Sequence, residues 1–262
     1  GIPAEPLFRS QIKIYHCSNL RKMYLYNRPR IMQKKIVVLT GAGMSADSGI
    51  RTFRDANGLW EDHDVMEVAS PHGFARDPAL VLDFYNQRRR QLLEVVPNAG
   101  HKMLVELEQH FNVTIITQNI DDLHERAGSS HVLHLHGELL KVRSTGDATM
   151  VLDWKKDLSL GETCPKGYQL RPHIVWFGEE VPLLSEAAQI TVTADILIII
   201  GTSMQVYPAA GILNYARQGT PIYFIDPKPS INASDFANLT IIQSTAAKGV
   251  PTLVKDLVRK EF

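Results

Sequence analysis

The sequence predicts an α/β fold in which a doubly wound parallel sheet carries a second, smaller inserted domain. Short apolar, β-branched runs such as residues 36–39 and 196–200 have the composition of fully buried parallel strands. These runs alternate with segments of helical pattern, which favours a doubly wound sheet. Residues 141–171 interrupt the alternation, because they carry mixed charge, several glycines and little periodicity. This interruption indicates an insert.

Three parts of the chain follow from that pattern. We assign residues 32–62, 98–140 and 172–262 to a Rossmann-like domain, and residues 63–97 and 141–171 to the small domain. Residues 1–31 form a leader or N-terminal extension, with six basic side chains against one acid. Such a composition is typical of a mitochondrial targeting segment. We favour an unrelated leader, since Met32 directly precedes the first core strand, and therefore expect a cytoplasmic protein, or a mitochondrial one if the leader is a targeting peptide.

Composition narrows the classes of partner. The chain has 262 residues, 44% of them hydrophobic and 21% charged, with a formal net charge of zero. A neutral chain argues against nucleic acid as the main partner, which would favour a basic face. No apolar run is long enough to span a membrane, and two cysteines cannot form a disulfide framework or a four-cysteine zinc site. We expect a monomer in a reducing compartment, with no nucleic-acid or membrane partner.

The first strand leads into a possible anion site. Residues 36–39 are followed by Gly41 and Gly43, where the chain can turn sharply and a ligand can approach the backbone. Ser45 and Asp47 then suit the start of a helix, whose N-terminus favours phosphate. The dinucleotide fingerprint is incomplete, because no strand ending in an acid follows near residues 60–70. A tight turn without a ligand remains an alternative.

The following elements alternate in type. Residues 49–60 are polar and suit a lid beside a phosphate site, and residues 63–96 have a helical pattern. Asp77 with Pro78 has the signature of a helix start, and Asn98 opens the next helix. The remaining predicted elements are helices at 99–110, 209–218 and 253–259, and strands at 111–117, 132–136, 174–177 and 221–225.

Polar residues follow five of the predicted strands. In open parallel sheets ligands bind at the carboxyl ends of the strands. Five strand ends that each supply polar groups are stronger evidence for a binding site than one glycine turn. These groups are Gly41, Gly43 and Ser45; Gln118, Asn119 and Asp121; His136; Gly201, Thr202 and Ser203; and Asp226.

Over about residues 33–260 the chain resembles the sirtuins, the NAD-dependent protein lysine deacylases. The motifs that carry the resemblance are residues 41–45, 48–50, 53–54, 117–121, 136–137, 176–179, 201–203, Val206 and residues 208–210. The resemblance implies that NAD is consumed as a cosubstrate. The acyl group passes from lysine to ADP-ribose, which releases nicotinamide and O-acyl-ADP-ribose.

The resemblance also implies roles for single residues. His136 matches the general base, and an imidazole titrates near neutral pH. His134 lies on the same strand face, and from chemistry alone either histidine suits a structural role. Asn119, as a second catalytic residue, and Asp121 match the pocket for nicotinamide and its ribose. The complete implied NAD-binding set is Gly41, Ala42, Gly43, Ser45, Asp47, Ile50, Phe53, Arg54, Gln118, Asn119, Ile120, Asp121, Gly201, Thr202, Ser203, Val206, Asp226 and Ala246.

Three of these assignments have a direct chemical reason. The guanidinium fork of Arg54 suits pyrophosphate oxygens. Phe53 can shield the reactive ribose from water and from returning nicotinamide. Asp226 follows a strand end 25 positions after Gly201, where an acid can meet ribose hydroxyls. Many sirtuins have Asn at this position, so Asp keeps the acceptors and removes the donors.

The acyl group has its own predicted partners. Tyr85 and Arg88 match the Tyr-x-x-Arg pair of sirtuins that remove succinyl and malonyl groups, and their spacing places them on one helix face. A guanidinium and a phenol can bind the terminal carboxylate of such a group. The alternative is a solvated arginine run with a packed tyrosine. The main chain of an acylated protein or peptide would lie against Trp176, Phe177, Gly178 and Glu179 by β-augmentation.

One departure from the family concerns zinc. Sirtuins usually hold a structural zinc with two cysteine pairs, and here the corresponding interval contains only Cys164. Scattered carboxylates do not form a zinc site at this spacing. We therefore expect no metal, and a small domain held together by four apolar side chains, Leu152, Trp154, Leu158 and Tyr168.

The leading hypothesis is an NAD-dependent lysine deacylase, a transferase-type enzyme with deacetylase and probable desuccinylase and demalonylase activity. An NAD-dependent protein ADP-ribosyltransferase is the alternative within the family. A hydride-transferring dehydrogenase would need a second catalytic domain that the sequence does not show. A non-catalytic NAD or acyl-lysine binding module is disfavoured, because the family's chemical positions are all filled.

Overall fold

The computed structural model describes residues 33–51, 59–60, 63–231, 234 and 238–261. Two predicted NAD-binding residues, Phe53 and Arg54, lie outside this part of the chain, as does the predicted leader. Their assignments stay predictions.

A six-stranded parallel sheet forms the centre of the described chain. The strand order is β11-β10-β9-β1-β4-β5, so the chain winds outward from β1 in both directions. This order confirms the doubly wound fold and places the switch of winding direction between β1 and β9. The strands are β1 Lys35–Thr40, β4 Asn112–Thr117, β5 Val132–His134, β9 Ile196–Ile200, β10 Ile222–Ile225 and β11 Leu239–Ile242.

Strand β1 is covered on both faces, as its continuous apolar run predicts. Ile36 and Val38 pack into one core layer, which includes the C-terminal helix. Val37 and Leu39 point to the opposite face and pack into a second layer. The polar groups that follow each strand are therefore confined to the ends of the sheet.

Two helices begin where capping signals in the sequence place them. Their bounds are α1 Val65–Val68, α2 Pro71–Arg76, α3 Pro78–Glu94, α4 Ala99–Glu108, α5 Leu123–Ala127, α6 Leu184–Val192 and α7 Ala246–Glu261. The Asp77 side chain accepts a hydrogen bond from the Leu80 N–H at 2.9 Å, and Pro78 is the first residue of α3. Asn98 caps α4 with a capping box to His101. Both predicted helix starts are confirmed. None of the described helices is long and apolar enough to span a membrane.

Several predicted elements differ in extent or type. The C-terminal helix begins at Ala246 rather than 253 and contains Pro251, a residue that normally argues against a helix interior. The segment predicted as a helix at 209–218 is a 3-10 helix, Ala209–Tyr215. Strand β11 was not predicted, because its four residues are partly exposed at the sheet edge and lack a strong apolar run.

A second, antiparallel sheet carries the small insert. Its strands β6 Gly137–Ser144, β7 Val151–Asp153 and β8 Leu170–Ile174 pair in the order β7-β6-β8. A short hairpin, β2 Leu59–Trp60 and β3 His63–Asp64, forms a third sheet. Strand β6 begins at Gly137, whose φ of 83° turns the chain away from the large sheet. The predicted domain boundaries at 63–97 and 141–171 stay a prediction.

The core of the insert was predicted only in part. Leu158 is buried and Trp154 packs against its cluster, as expected. Leu152 and Tyr168 are 39% and 49% exposed, so their assignment to this core was wrong. Leu152 lies on an edge strand with an open face, and the Tyr168 ring covers Gly146 instead. The remaining buried members are Leu82, Val142, Cys164 and Leu170.

Candidate active site

A cleft of about 760 Å³ lies at the carboxyl ends of the parallel strands. It brings together residues that the sequence placed at five separate strand ends, as well as the predicted acyl and peptide residues. Of the predicted site residues, those that line it are Gly41, Ala42, Gly43, Asp47, Ile50, Tyr85, Arg88, Gln118, Asn119, Ile120, Asp121, His136, Trp176, Phe177, Gly178, Glu179, Gly201, Thr202, Ser203, Val206 and Asp226.

Two predicted NAD-binding residues are buried beside the cleft without lining it. Ser45 is fully buried and acts through hydrogen bonds to residues that do line the cleft. Ala246 is 3% exposed, packs in the core, and its neighbour Thr245 lines the cleft instead. Ala246 is therefore not brought into contact with the space where a ligand fits.

The glycines of the loop after β1 allow it to pack closely on the loop after β9. A Cβ atom at Gly43 would stand 2.7 Å from Gly201 Cα, and one at Gly41 would stand 2.8 Å from the Gly201 carbonyl oxygen. The Gly43 N–H donates to that same oxygen at 2.8 Å. The loop after β1 therefore packs directly on the loop after β9. Sequence reasoning assigned this glycine spacing to ligand approach, and the structure adds backbone packing.

The expected α-helix after the glycine turn is absent from the described residues 41–49. Two 3-10 turns, Ala42–Met44 and Ala46–Ser48, occupy this segment. Turns of three residues do not sum to a helix dipole, so a phosphate here would depend on individual N–H groups.

Replacing Gly43 with alanine tests the loop contact. We expect the added methyl group to push the two loops apart, since the three nearest atoms it meets are all backbone atoms of Gly201. The free energy of unfolding should fall by about 1–3 kcal/mol, and NAD affinity should fall with it. Thermal unfolding with and without NAD measures both effects. The matched substitution Gly211→Ala meets no atom within 4 Å and should leave both unchanged; equal effects of the two variants would contradict this assignment.

A buried hydrogen-bonded chain joins the loops after β1 and β4. The Asn119 amide donates to Ser45 Oγ at 3.2 Å, and Ser45 Oγ donates to the Asp121 carboxylate at 2.9 Å. Asn119 and Asp121 are 8% and 6% exposed. Burial raises the pKa of Asp121, against the lowering effect of the Ser45 hydrogen bond. These two hydrogen bonds hold the Asn119 and Asp121 side chains at the floor of the cleft.

His136 has the geometry of a neutral base. Its Nδ1 lies 3.0 Å from the Gln118 carbonyl oxygen, which can only accept, so Nδ1 carries the proton. In the neutral ring Nε2 is then the basic nitrogen. Burial lowers the pKa of His136, with a smaller raising effect from the Gln118 carbonyl. The neutral form therefore predominates at neutral pH, as a general base requires.

His134 differs from His136 in the hydrogen-bond partners of its ring nitrogens. Its Nδ1 lies 3.1 Å from the Asn119 carbonyl oxygen and its Nε2 lies 2.7 Å from Glu125 Oε1. Two acceptors occupy both ring nitrogens, so His134 has none left to accept a proton. The structure thus separates two histidines that chemistry alone left equivalent.

Tyr85 and Arg88 lie on the face of α3 that borders the cleft. Tyr85 is fully buried, and its hydroxyl oxygen accepts a hydrogen bond from Trp176 Nε1–H at 2.9 Å. The Arg88 guanidinium lies 3.3 Å from the Phe84 ring centroid and donates to the Phe84 carbonyl at 2.6 Å. The pair is anchored by its own helix and by the turn after β8.

The arginine run 88–90 is not a uniformly solvated face. Arg89 is 1% exposed and donates to the Leu139 carbonyl and the Asn86 side chain. Arg90 points outward and pairs with Asp157 at 2.6 Å. Only Arg88 of the three lines the cleft, which disfavours the alternative of a solvated run.

The turn after β8 is built around Glu179. Its carboxylate pairs with Arg143 and Arg171 and accepts a hydrogen bond from the Trp176 N–H at 2.8 Å. Burial raises the pKa of Glu179, but hydrogen bonds from Arg171 and Trp176 outweigh it and leave the pKa lowered. Glu179 therefore shapes the wall of the cleft. Arg171 also lies 3.3 Å from the Trp176 ring centroid; sequence reasoning missed it because nothing local marks a buried arginine eight positions before its acid.

The far end of the cleft carries hydroxyl and carboxylate groups. Asp226 is 2% exposed and accepts a hydrogen bond from the Lys228 N–H at 2.8 Å. Thr245, which sequence reasoning missed, has a buried hydroxyl with no hydrogen-bond partner among the described residues. A carboxylate and an unpaired hydroxyl in one cleft fit the ribose hydroxyls of a dinucleotide.

Cys164, the one cysteine in the interval where sirtuins usually hold zinc, is a buried thiol that lies 3.3 Å from Ser144 Oγ. Among the described residues no group of three or more His, Cys, Asp or Glu side chains is placed to hold a metal ion. The prediction that the protein needs no zinc awaits metal analysis.

A comparison with models of known protein families identifies the family of this chain. The Sir2 family model matches residues 41–208, from the first glycine to the end of the loop after β9. The chain belongs to the Sir2 family. The match covers strands β4–β9 and the cleft loops from Gly41 to Pro208, and so confirms the resemblance seen in the sequence.

The chain aligns with two bacterial relatives over almost the whole length of each relative. An NAD-dependent protein deacylase of Helicobacter pylori is 59% identical over 225 residues, which is 86% of this chain and 96% of that protein. An NAD-dependent protein deacylase of Bacteroides thetaiotaomicron is 53% identical over 231 residues, 86% of this chain and 98% of that protein.

Solved Sir2 structures share the fold. A Sir2 homologue bound to NAD superposes with a TM-score of 0.78 at 38% identity, covering 87% of this chain and 91% of that one. A mutant Sir2 homologue bound to ADP-ribose gives a TM-score of 0.80 at 37% identity, covering 87% and 94%. A Sir2 protein bound to an acetylated peptide gives 0.69 at 26%, covering 92% and 98%.

Proposed function

We propose that this Sir2-family protein is an NAD-dependent protein lysine deacylase that removes acetyl groups and also succinyl and malonyl groups. One observation carries the proposal. A single cleft joins dinucleotide-type groups at the strand ends to a tyrosine–arginine pair at its side. The names of the bacterial relatives and the ligands of the solved homologues support the NAD-dependent part.

NAD would be held by the loops after β1, β4, β9 and β10. Gly41 and Gly43 let the first loop pack closely on the loop after β9, so that both loops line the cleft. Asp226 and the unpaired Thr245 hydroxyl can bind ribose hydroxyls. Asn119 and Asp121 face the same space from the other side of the sheet's switch point. When bound, NAD supplies a ribose carbon that becomes electrophilic as nicotinamide leaves.

His136 supplies the base. Its Nδ1–H is committed to the Gln118 carbonyl, which aligns the ring and leaves Nε2 to accept a proton from a hydroxyl in the cleft. Because burial keeps the imidazole neutral near pH 7, no proton has to be removed from the ring beforehand.

The tyrosine–arginine pair supports the proposed removal of acidic acyl groups. Arg88 brings a positive charge to a wall of the cleft that also carries the Tyr85 phenol. A succinyl or malonyl carboxylate can form charge-assisted hydrogen bonds with both. An acetyl group has no carboxylate and needs neither, so the same cleft can accept it.

The substrate is an acyl-lysine within a protein or peptide. The turn at residues 176–179 and the loop at 204–206 border the opening of the cleft, and Phe177 remains 41% exposed there. The N–H groups of Trp176, Phe177 and Glu179 are bonded within the protein, so an extended peptide would pair with other main-chain groups of the two segments. The lysine side chain would then enter between the two segments.

A panel of acetyl-, malonyl-, succinyl- and glutaryl-lysine peptides with NAD tests this function. Nicotinamide release and peptide mass are followed for each peptide, with unmodified lysine as control. We expect nicotinamide release and loss of the acyl group for the acetyl, malonyl and succinyl peptides. Release without loss of the acyl group would favour ADP-ribosyl transfer, and absence of release from every peptide would contradict the proposal.

A further inference from the structure

The peptide group on each side of Asn119 is held by side chains that lie outside the cleft. The Asn119 N–H donates to Thr117 Oγ1 at 3.0 Å, and Thr117 Oγ1 also bonds to the buried Thr40 hydroxyl at 2.8 Å. The Asn119 carbonyl accepts from His134 Nδ1 at 3.1 Å. Asn119 is thus fixed at both ends of its main chain.

His134 reaches the surface of the protein through Glu125. Its Nε2 lies 2.7 Å from Glu125 Oε1, and the His134 and Glu125 side chains are 8% and 41% exposed. A carbonyl and a carboxylate can only accept hydrogen bonds, so both ring nitrogens must carry protons. His134 is therefore an imidazolium in this geometry, because a neutral ring has one N–H and can serve only one of the two acceptors.

The surrounding charges support that form of the ring. Burial lowers the pKa of His134, but the hydrogen bond and charge of Glu125 outweigh it and leave the pKa raised. Glu138 on β6 acts in the same direction, and the Asp121 carboxylate also interacts with the imidazolium. The nearby His124 is neutral, because burial and the charges of His101 and His134 lower its pKa.

The position of Asn119 has consequences inside the cleft. Its side chain donates to Ser45 Oγ, which in turn binds Asp121. If the carbonyl of Asn119 lost its partner, the peptide could rotate and carry the amide away from Ser45. A displacement of about 1 Å at a reacting group can cost about 100-fold in rate.

We propose that Glu125 and His134 are positioning residues for Asn119, with the carboxylate holding an imidazolium that fixes the Asn119 carbonyl. The inference rests on the proposed function, in which Asn119 acts on NAD. Neither side chain lines the cleft, so neither touches the reacting atoms. Both act through the main chain of the loop after β4.

Two substitutions at one position separate positioning from mere folding. His134→Leu keeps the size of the side chain and removes the donor to the Asn119 carbonyl. His134→Asn keeps a donor, because the side-chain amide nitrogen can occupy the place of Nδ1. Steady-state nicotinamide release is measured with NAD and an acyl-lysine peptide, well below the unfolding temperature of each variant. His131→Leu makes the same change at an exposed residue of the same segment and serves as control.

We expect His134→Leu to lower kcat by about 10- to 100-fold with the KM for peptide changed by less than about twofold. His134→Asn should recover most of kcat, and His131→Leu should match the wild-type protein. Wild-type kcat in His134→Leu, or no recovery in His134→Asn, would overturn the inference. A rise in KM for peptide without loss of kcat would do the same, because it would assign His134 to substrate binding.

Glu125→Ala gives an answer even if His134→Leu does not fold. Glu125 is half exposed, so its removal leaves no buried group unpaired except the His134 Nε2. We expect kcat to fall in the same direction and by a smaller factor, since the ring keeps its Nδ1–H but loses its alignment. Unchanged kcat in this variant would contradict the role of Glu125. A wild-type protein that releases no nicotinamide from any acyl peptide would instead refute the proposed function itself.

Discussion

Replacing His136 with asparagine should lower kcat for acyl transfer by at least about 100-fold, the usual contribution of a general base. The asparagine amide can still donate to the Gln118 carbonyl, so the local structure should persist while the basic Nε2 is lost. We therefore expect the dissociation constant for NAD to change by less than about twofold. Product formation by mass spectrometry and NAD binding by calorimetry measure the two quantities.

The pH dependence provides a second check on His136. Its pKa is lowered from the ordinary value of 6.5 because the ring is buried. A lowered pKa means that the neutral base is present at neutral pH and is lost only as the pH falls through that pKa. The acid limb of kcat/KM should therefore lie below pH 6.5. Substantial product formation by His136→Asn would contradict the assignment of the base.

Replacing Arg88 with methionine should reduce desuccinylation far more than deacetylation. Methionine retains apolar packing on the Phe84 ring and removes the charge that would bind the succinyl carboxylate. A hydrogen bond to a charged group contributes about 1.5–3 kcal/mol, so kcat/KM for the succinyl peptide should fall by about 10- to 100-fold relative to the acetyl peptide. Competing acetyl and succinyl peptides in one reaction measure the ratio directly.

Arg90→Met is the matched control for this substitution. Arg90 is on the same helix, but it points outward to Asp157 across an exposed ion pair, and such pairs contribute little to stability. We expect no change in the ratio of the two activities. If Arg88→Met lowered both activities equally, Arg88 would have a general role in the fold or in NAD binding, and the acyl preference would lack its explanation.

The features that the sequence predicted well depend on local patterns. Continuous apolar runs predict buried parallel strands such as β1 and β9. Asp77 and Asn98 indicate helix starts, because their side chains can cap a helix. The ends of those strands could be placed on one edge, since topology requires it. That was enough to bring together most of the candidate site.

The features that sequence reasoning missed depend on contacts between distant segments. Gly201 meets Gly43 from 158 positions away, and Trp176 meets Tyr85 from 91 positions away. The start of the last helix was predicted too late, because Pro251 locally disfavours a helix interior. Packing of that helix on α4 and the sheet overrides this local preference. Leu152 and Tyr168 were misplaced because an apolar residue on an edge strand or turn has no local sign of which side is covered.

The same limit applies to the two histidines of β5 and its extension. His134 and His136 lie two residues apart on the same strand face, and chemistry alone gives them equal claims. Only the tertiary partners, Glu125 for one and the Gln118 carbonyl for the other, separate an imidazolium from a neutral ring.

The products formed from NAD and a succinyl-lysine peptide test the central claim most directly. The purified full chain is incubated with both substrates, and all products are identified by mass spectrometry. We expect nicotinamide, O-succinyl-ADP-ribose and the peptide with free lysine in equal amounts. ADP-ribose attached to the peptide or to the protein, with the succinyl group still on lysine, would contradict it, as would NADH.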